Sequence, residues 1–390
     1  MRNGAMQRPF ISTQGSDSRY RRSTPCRPSP TTPAQKSPKL KTFRNPIGKN
    51  HKFKINDLHK QYFSSNRYLC KRIKYIIYFS HAHRFGHCSQ LLHAPYLEQR
   101  IESILQQTFQ DFELILLDDC STDGSREILE RYRNHPKVSG IFYNERNSGS
   151  PFKQWKKGLS KATGDYVWIA ESDDFSSPCF LERCVRILDT RPDCSIVFTS
   201  SYIVDSHSRT IREEAPVKYP KHKQIRFGSR FFLYRFLCPR NTIYNAGMAL
   251  VRRSALPADD NYTQYRYCGD WLFWIQIVSG GGNVVYLAEP LNYYRVHDSN
   301  TTAESIVTGR KHIETLRILE ETFRLIDPPL ICRLSIAGKH LLRIRKAAGS
   351  HWNEEPYLSV RLAWRERYRH PRMIMFWHKV FKDLPRSFAR

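Results

Sequence analysis

The sequence predicts an α/β fold built on a mostly parallel central sheet, with helices on its faces and a helical extension behind it. Two observations carry this. Between His93 and Thr199, short apolar runs of strand length alternate with segments whose apolar residues recur at helical spacing. Two of the runs also end abruptly in acids. Phe112-Glu-Leu-Ile-Leu-Leu117 meets Asp118-Asp119, and Tyr166-Val-Trp-Ile-Ala170 meets Glu171, Asp173 and Asp174. Ligands of open α/β sheets bind beyond the carboxyl ends of the strands, so these two ends are the first places to look for function.

In chain order, residues 1–50 are rich in Ser, Pro, Thr and Arg with few large apolar side chains, the composition of a disordered leader. Residues 51–92 are ambiguous, although Ile73–Phe79 has the composition of a strand. Leu97, Ile101, Ile104 and Leu105 define an amphipathic helix, and the Phe112–Leu117 strand follows. Ile128, Leu129 and Tyr132 mark a helix, Val138–Tyr143 a strand, and Trp155 and Leu159 a helix after the Asn147–Pro151 loop. The Tyr166–Ala170 strand leads to Ser177-Pro178, a helix-start pair, and then to Leu181, Val185 and Leu188 on one helical face. Cys194–Thr199 is the next strand. Successive β-α-β units of this kind are right-handed and parallel. Residues 205–240 show no clear period. Asn245–Val251 reads as a strand, Asp270–Val278 as a buried aromatic helix stopped by Gly280-Gly-Gly282, and Val284–Leu287 and Leu291–Arg295 as short strands. Leu316, Leu319, Phe323, Leu325 and Leu341 make the remainder helical.

The 390 residues carry a formal net charge of +27, which implies an anionic partner. The excess sits at the ends: residues 1–60 hold 14 Lys/Arg against 2 Asp/Glu, and residues 339–390 hold 13 against 4. No nucleic-acid-binding motif or stacked aromatic-basic repeat is present, so a specific nucleic-acid reader is not expected. The ten cysteines show no CxxC pair, which points to free thiols in a reducing compartment. His81, His83, His87 and Cys88 resemble metal ligands, but no second pair completes a zinc site. No run is long enough to span a membrane, and the basic N-terminus lacks the apolar region of a secretory signal.

The acids suggest a chemistry. Carboxylates crowded at a strand end repel one another and need a cation, and hard oxygen ligands suit Mg²⁺ or Mn²⁺ carrying a diphosphate. The competing reading of Glu171, Asp173 and Asp174 is a solvated acidic turn that caps the next helix. Asp118 and Asp119 could accept hydrogen bonds from a base or ribose, or serve as caps in company with Ser121 and Asp123. Asp270 opens a helix, where the dipole favours its anion whatever its role, while burial beside Trp271 and Trp274 would raise its basicity.

Four motifs, in order, resemble the family 2 glycosyltransferases, inverting enzymes of the GT-A fold. They are His93-Ala-Pro-Tyr through Phe109 with Glu113–Ser125, Gly164-Asp-Tyr-Val-Trp-Ile-Ala-Glu-Ser-Asp-Asp174, Gly269-Asp-Trp-Leu-Phe-Trp274, and Tyr294-Arg-Val-His297. The resemblance covers about residues 93–300. It implies a donor half at 93–200 and an acceptor half at 201–300, followed by a helical basic extension at 301–390. It implies that Asp118 and Asp119 touch the nucleoside, that Glu171-Ser172-Asp173 stands for the family's DxD, and that Asp173 is the metal ligand with Asp174 orienting the site. By the same match Asp270 is the catalytic base, and Arg295 and His297 meet the diphosphate or metal. The implied partners are a nucleotide-sugar donor and a saccharide or lipid-linked saccharide acceptor for surface polysaccharide or glycolipid. The expected location is cytoplasmic, with the basic tail resting on the inner face of an anionic membrane.

The family's opening strand, with its Pro-x-Tyr-Asn-like turn, is not found directly before His93, and Ile73–Phe79 stands more than ten residues too early. Residues 61–92 are therefore expected to lack or replace the first strand. Either 81–92 form an inserted loop or the segment before His93 is not the native reading frame, and the abrupt onset of pattern favours the latter. A catalytically silent homologue is the corresponding alternative function.

Overall fold

A computed structural model describes residues 73–79, 94–297 and 308–381. The zinc-like cluster at 81–88 and the leader lie outside the described residues.

The strands are β1 (Ile73–Phe79), β2 (Phe112–Asp118), β3 (Val138–Tyr143), β4 (Tyr166–Glu171), β5 (Phe175–Ser176), β6 (Cys194–Val204), β7 (Thr210–Glu214), β8 (Gln224–Phe227), β9 (Ala249–Arg252) and β10 (Asn283–Arg295). The helices are α1 (Ala94–Leu105), α2 (Ser125–Arg131), α3 (Pro151–Lys161), α4 (Phe180–Thr190), α5 (Ser229–Phe232), α6 (Gly269–Ser279), α7 (Arg310–Ile326), α8 (Leu330–Ala348), α9 (Tyr357–Arg367) and α10 (Pro371–Val380). The strands form one sheet in the order β3-β2-β1-β4-β9-β6-β10-β5, with β7 on β6 and β8 on β10.

The expectation of a missing first strand is corrected. Ile73–Phe79 fills the central position, parallel to β2 on one side and to β4 on the other. The motif register fails to find it because it places the strand directly before His93, whereas residues 80–93 stand between this strand and α1. Its pairing also aligns the site: Phe79 lies opposite Asp118 and Tyr78 opposite Glu171, so both acidic strand ends reach the same edge of the sheet.

The β3-β2-β1-β4 half is parallel throughout. Beyond β4 the sheet becomes mixed, because β9 runs antiparallel to both β4 and β6. The two short strands expected at 284–295 are one strand, β10, whose register slips around Pro290. Proline cannot donate to the ladder, so the run is interrupted there without ending. Asn245–Met248 is a turn leading into β9.

Alternation along each strand distributes the core over both faces. Leu114, Leu116, Trp168 and Ala170 pack with Leu97, Ile101, Leu129 and Phe180 of α1, α2 and α4. Ile115, Leu117, Val167 and Ile169 pack with Trp155 of α3, Phe273 and Trp274 of α6, and the C-terminal helices. The helical extension thus shares a core with the sheet, and α7 packs directly on α6.

Candidate active site

The end of β2 is a closed knot. Asp118 is wholly buried and accepts from Ser121 N at 3.2 Å, from Ser121 Oγ and from Arg126 Nε at 2.9 Å. Asp119 is 2% exposed and accepts four bonds: Asn144 Nδ2 at 2.6 Å, Ser148 N at 2.9 Å, Ser148 Oγ at 2.8 Å and Gln154 Nε2 at 2.6 Å. Burial raises the Asp119 carboxyl above its ordinary range, and the Ser148 and Asn144 bonds oppose the rise. These partners tie the 144–154 loop and the start of α3 to the strand end. Asp123 accepts from Ser125 N and Oγ at the head of α2 and from Ala94 N at the head of α1, the capping role expected of it.

The end of β4 is different. Glu171, Asp173 and Asp174 turn tightly against one another. A single amide, Asn245 Nδ2, donates to Glu171 Oε2 at 2.6 Å and to Asp174 Oδ2 at 2.7 Å. Asp174 Oδ1 takes the Arg295 backbone N–H at 2.8 Å. Burial, and then neighbouring Asp173, push the Asp174 carboxyl up to about 7. Burial, with Asp174, Asp173 and Asp270 adding repulsion, raises Glu171 well above the carboxylate range. The motifs carrying Asp270 and Glu171 therefore converge in space.

Asp270 heads α6 and accepts from Asn241 Nδ2 at 2.6 Å. Burial outweighs the helix N-terminus: the carboxyl is raised to about 6 despite the Trp271 N–H, Lys311 and Asn241. Its approach loop is fixed from α7, where Glu314 accepts from the N–H groups of Arg266, Tyr267 and Cys268 at 2.8–2.9 Å.

His297 Nε2 lies 3.2 Å from Asp173 Oδ2, with the two side chains 11% and 18% exposed. Arg295 shares that face, as alternation predicts, but its guanidinium is turned into the protein. It donates to the carbonyls of Asp173, Asp205 and Ser206 and to Gln99 Oε1, and it lies 4.3 Å over the Tyr96 ring. Tyr96 also packs on His297, with ring centroids 5.6 Å apart, joining the first motif to the last.

Sequence reasoning missed three residues here. Arg100 of α1 is wholly buried, bonds Ser176 Oγ at 2.8 Å, and lies 4.9 Å over Trp168. Its Nε and Nη2 find no hydrogen-bond partner among the described residues. Burial lowers it to about 10, and Asp174, Glu171 and Asp173 hold it charged. Its signal was available: position 100 falls on the same helical face as Leu97, Ile101 and Ile104, where a cation demands an internal anion. Asn245 and Glu314 carried no signal in their own sequence surroundings.

Among the described residues no group of three or more His, Cys, Asp or Glu is arranged to hold a metal. The protein offers Asp173 and His297 as a pair, beside Glu171 and Asp174, whose carboxyls burial and neighbouring acids raise. Such a donor set fits a divalent ion that takes its other ligands from substrate phosphates and water.

Residues 91–258 match the family described as Glycosyl transferase family 2. An uncharacterized glycosyltransferase of Methanocaldococcus jannaschii is 28% identical over 202 residues, 52% of this chain and 66% of that protein. The putative teichuronic acid biosynthesis glycosyltransferase TuaG of Bacillus subtilis is 36% identical over 104 residues, 27% of this chain and 40% of its own length. The chain thus spans less than two thirds of either relative. Staphylococcus aureus TarS, solved in complex with UDP-GlcNAc, superposes with a TM-score of 0.53 at 18% identity, covering 75% of this chain and 78% of that one. The fold is GT-A-like.

Proposed function

We propose that this chain, a family 2 glycosyltransferase over residues 91–258, moves a sugar from a nucleoside-diphosphate donor to a hydroxyl acceptor with inversion at the anomeric carbon. Residues 93–200 hold the donor, and residues 201–300 supply the acceptor side and the base. The observation that carries the reading is Asp270, a carboxyl raised to about 6 and facing the Glu171 cluster. A base with that affinity is ionised near neutrality yet basic enough to take a proton from the acceptor hydroxyl as it attacks. Asn241 and the Trp271 N–H fix its carboxyl, and Glu314 fixes its loop.

Asp173 and His297 would hold a Mg²⁺ or Mn²⁺, which when bound offsets the charge developing on the departing diphosphate. Asn245 holds Glu171 and Asp174 in register behind Asp173. Arg295 keeps the Asp173 backbone in place from within the protein. Asp119 shapes the nucleoside side of the site by holding the 144–154 loop, and Asp118 by holding Ser121 and Arg126. The acceptor class is a saccharide or lipid-linked saccharide, in line with a relative named for teichuronic acid biosynthesis. The silent-homologue alternative rested on a missing central strand, and Ile73–Phe79 fills that position.

The test is calorimetric titration with UDP and Mn²⁺, alongside Asp173→Ala. Metal-dependent binding that disappears in the variant supports the assignment. Silence with UDP, GDP and dTDP from a folded protein overturns it.

A further inference from the structure

We propose that α10 is a docking element for an anionic lipid surface, with one apolar ridge lying in the plane of the headgroups. The way α10 packs creates the ridge. It crosses α8 at Gly338, where an added Cβ would collide with the Ile374 carbonyl and the His378 Cβ. That close approach turns Ile374 and Met375 inward, where both are buried. Met373, Phe376 and Val380 are left 51%, 58% and 52% exposed. At about 100° per residue these three and Trp377 fall within a single arc of roughly 100°. Trp377 stacks on Phe381 at 5.1 Å and meets Phe376 edge-on at 5.9 Å, which makes the ridge continuous.

Along the helix itself the charge has one sign. Arg372 and Lys379, both exposed, lie along one flank of the arc, and exposed Arg369 precedes the helix. No Asp or Glu occurs from Arg367 to Phe381. A second copy paired helix to helix would bring these cations against themselves, with no acid on the helix to receive them. A nucleic acid would engage the cations and leave Met373 and Val380 in water. A bilayer bearing anionic headgroups satisfies both halves, with the ridge at the acyl boundary and the cations among the headgroups. No helix of the described residues is long and apolar enough to cross a membrane, so the contact lies on the surface. It does not depend on whether the carboxylate site transfers sugar.

The experiment is co-sedimentation of the full chain with vesicles of phosphatidylcholine alone or mixed with phosphatidylglycerol. Two variants, Met373→Ser/Phe376→Ser and Arg372→Glu/Lys379→Glu, change exposed side chains, and circular dichroism checks their folding. The wild type is expected to sediment with the mixed vesicles only. The apolar variant should lose about tenfold or more in partitioning at every salt concentration, in keeping with the removal of two large apolar groups. The charge variant should lose the salt-sensitive part of binding. Unchanged sedimentation of both variants would assign the binding to the basic leader and overturn the proposal. Light scattering that shows a dimer broken by Met373→Ser/Phe376→Ser would make the ridge an interface between copies and overturn it equally.

Discussion

At the end of β2, every carboxylate oxygen of Asp118 and Asp119 meets a donor from the protein. At the end of β4, on the other side of β1, Glu171 and Asp174 share one amide and face Asp173 and Asp270. The two corners have the same outward composition, an apolar strand running into acids, and both reach one edge of the sheet. The first has all its carboxylate oxygens met by the protein's own donors, although burial still raises Asp119. The second keeps Glu171 and Asp174 raised by burial and by neighbouring acids, a repulsion that a bound cation would relieve.

The largest effect should fall on chemistry at the second corner. Asp270→Asn keeps the Asn241 contact sterically but removes the proposed base, and kcat for sugar transfer should drop by about 10²- to 10⁴-fold with donor-nucleotide affinity retained. In the wild type, the acidic limb of the rate profile should sit near about pH 6, with activity falling below it, because Asp270 must be ionised. A profile flat down to about pH 4 would remove Asp270 from the role of base.

Next come the arginines, one at each corner. Arg100 is wholly buried against Asp174, Glu171 and Asp173, whereas the Arg126 side chain is 43% exposed beside Asp118. Arg100→Met strips the internal cation from three carboxylates and should cost roughly 3–5 kcal/mol in urea unfolding at neutral pH. Arg126→Met should cost about 1 kcal/mol, since solvent reaches that pair. Equal losses would mean that Arg100 only fills space.

Metal should separate the corners by pH. The folded Asp174 carboxyl is raised to about 7, so its contribution to stability is present in acid and is lost as pH rises through that value. A divalent cation replaces the missing proton. Mn²⁺ should therefore raise Tm clearly at about pH 8 and little at about pH 5, and Asp173→Ala should flatten the difference.

Much of this could be read from the chain. The alternation of runs located most strands and helices, and the four motifs brought Glu171, Asp173, Asp270 and His297 to one place. The central strand escapes the motif spacing, because residues 80–93 separate Ile73–Phe79 from the first helix and spacing says nothing about how long a connection can be. Arg295 was expected to face the diphosphate, since alternation gives the face of a strand but not the reach of a long side chain. Its guanidinium finds carbonyls of residues 173, 205 and 206, which no local pattern brings together. Asn245 and Glu314 were illegible for the same reason: each acts on residues tens of positions away.

The smallest expected effect is also the sharpest contrast. Glu171→Gln keeps an oxygen that can accept from Asn245 Nδ2 and deletes a charge whose folded-state pKa is raised, so the metal-free protein at about pH 8 should be unchanged or slightly more stable. Asp118→Asn does the reverse. Its new amide would turn a donor toward Ser121 N or Arg126 Nε, both donors already, and a buried bond would be lost at a cost of about 1–3 kcal/mol. The two substitutions are chemically matched, each exchanging a carboxylate for its amide at a strand end. If both destabilise equally, the β4 carboxylates are bound as firmly as the β2 pair and hold no excess charge for a cation. If they diverge in sign, the repulsion belongs to the β4 corner alone, and Asp173 with His297 stands where its relief must come from.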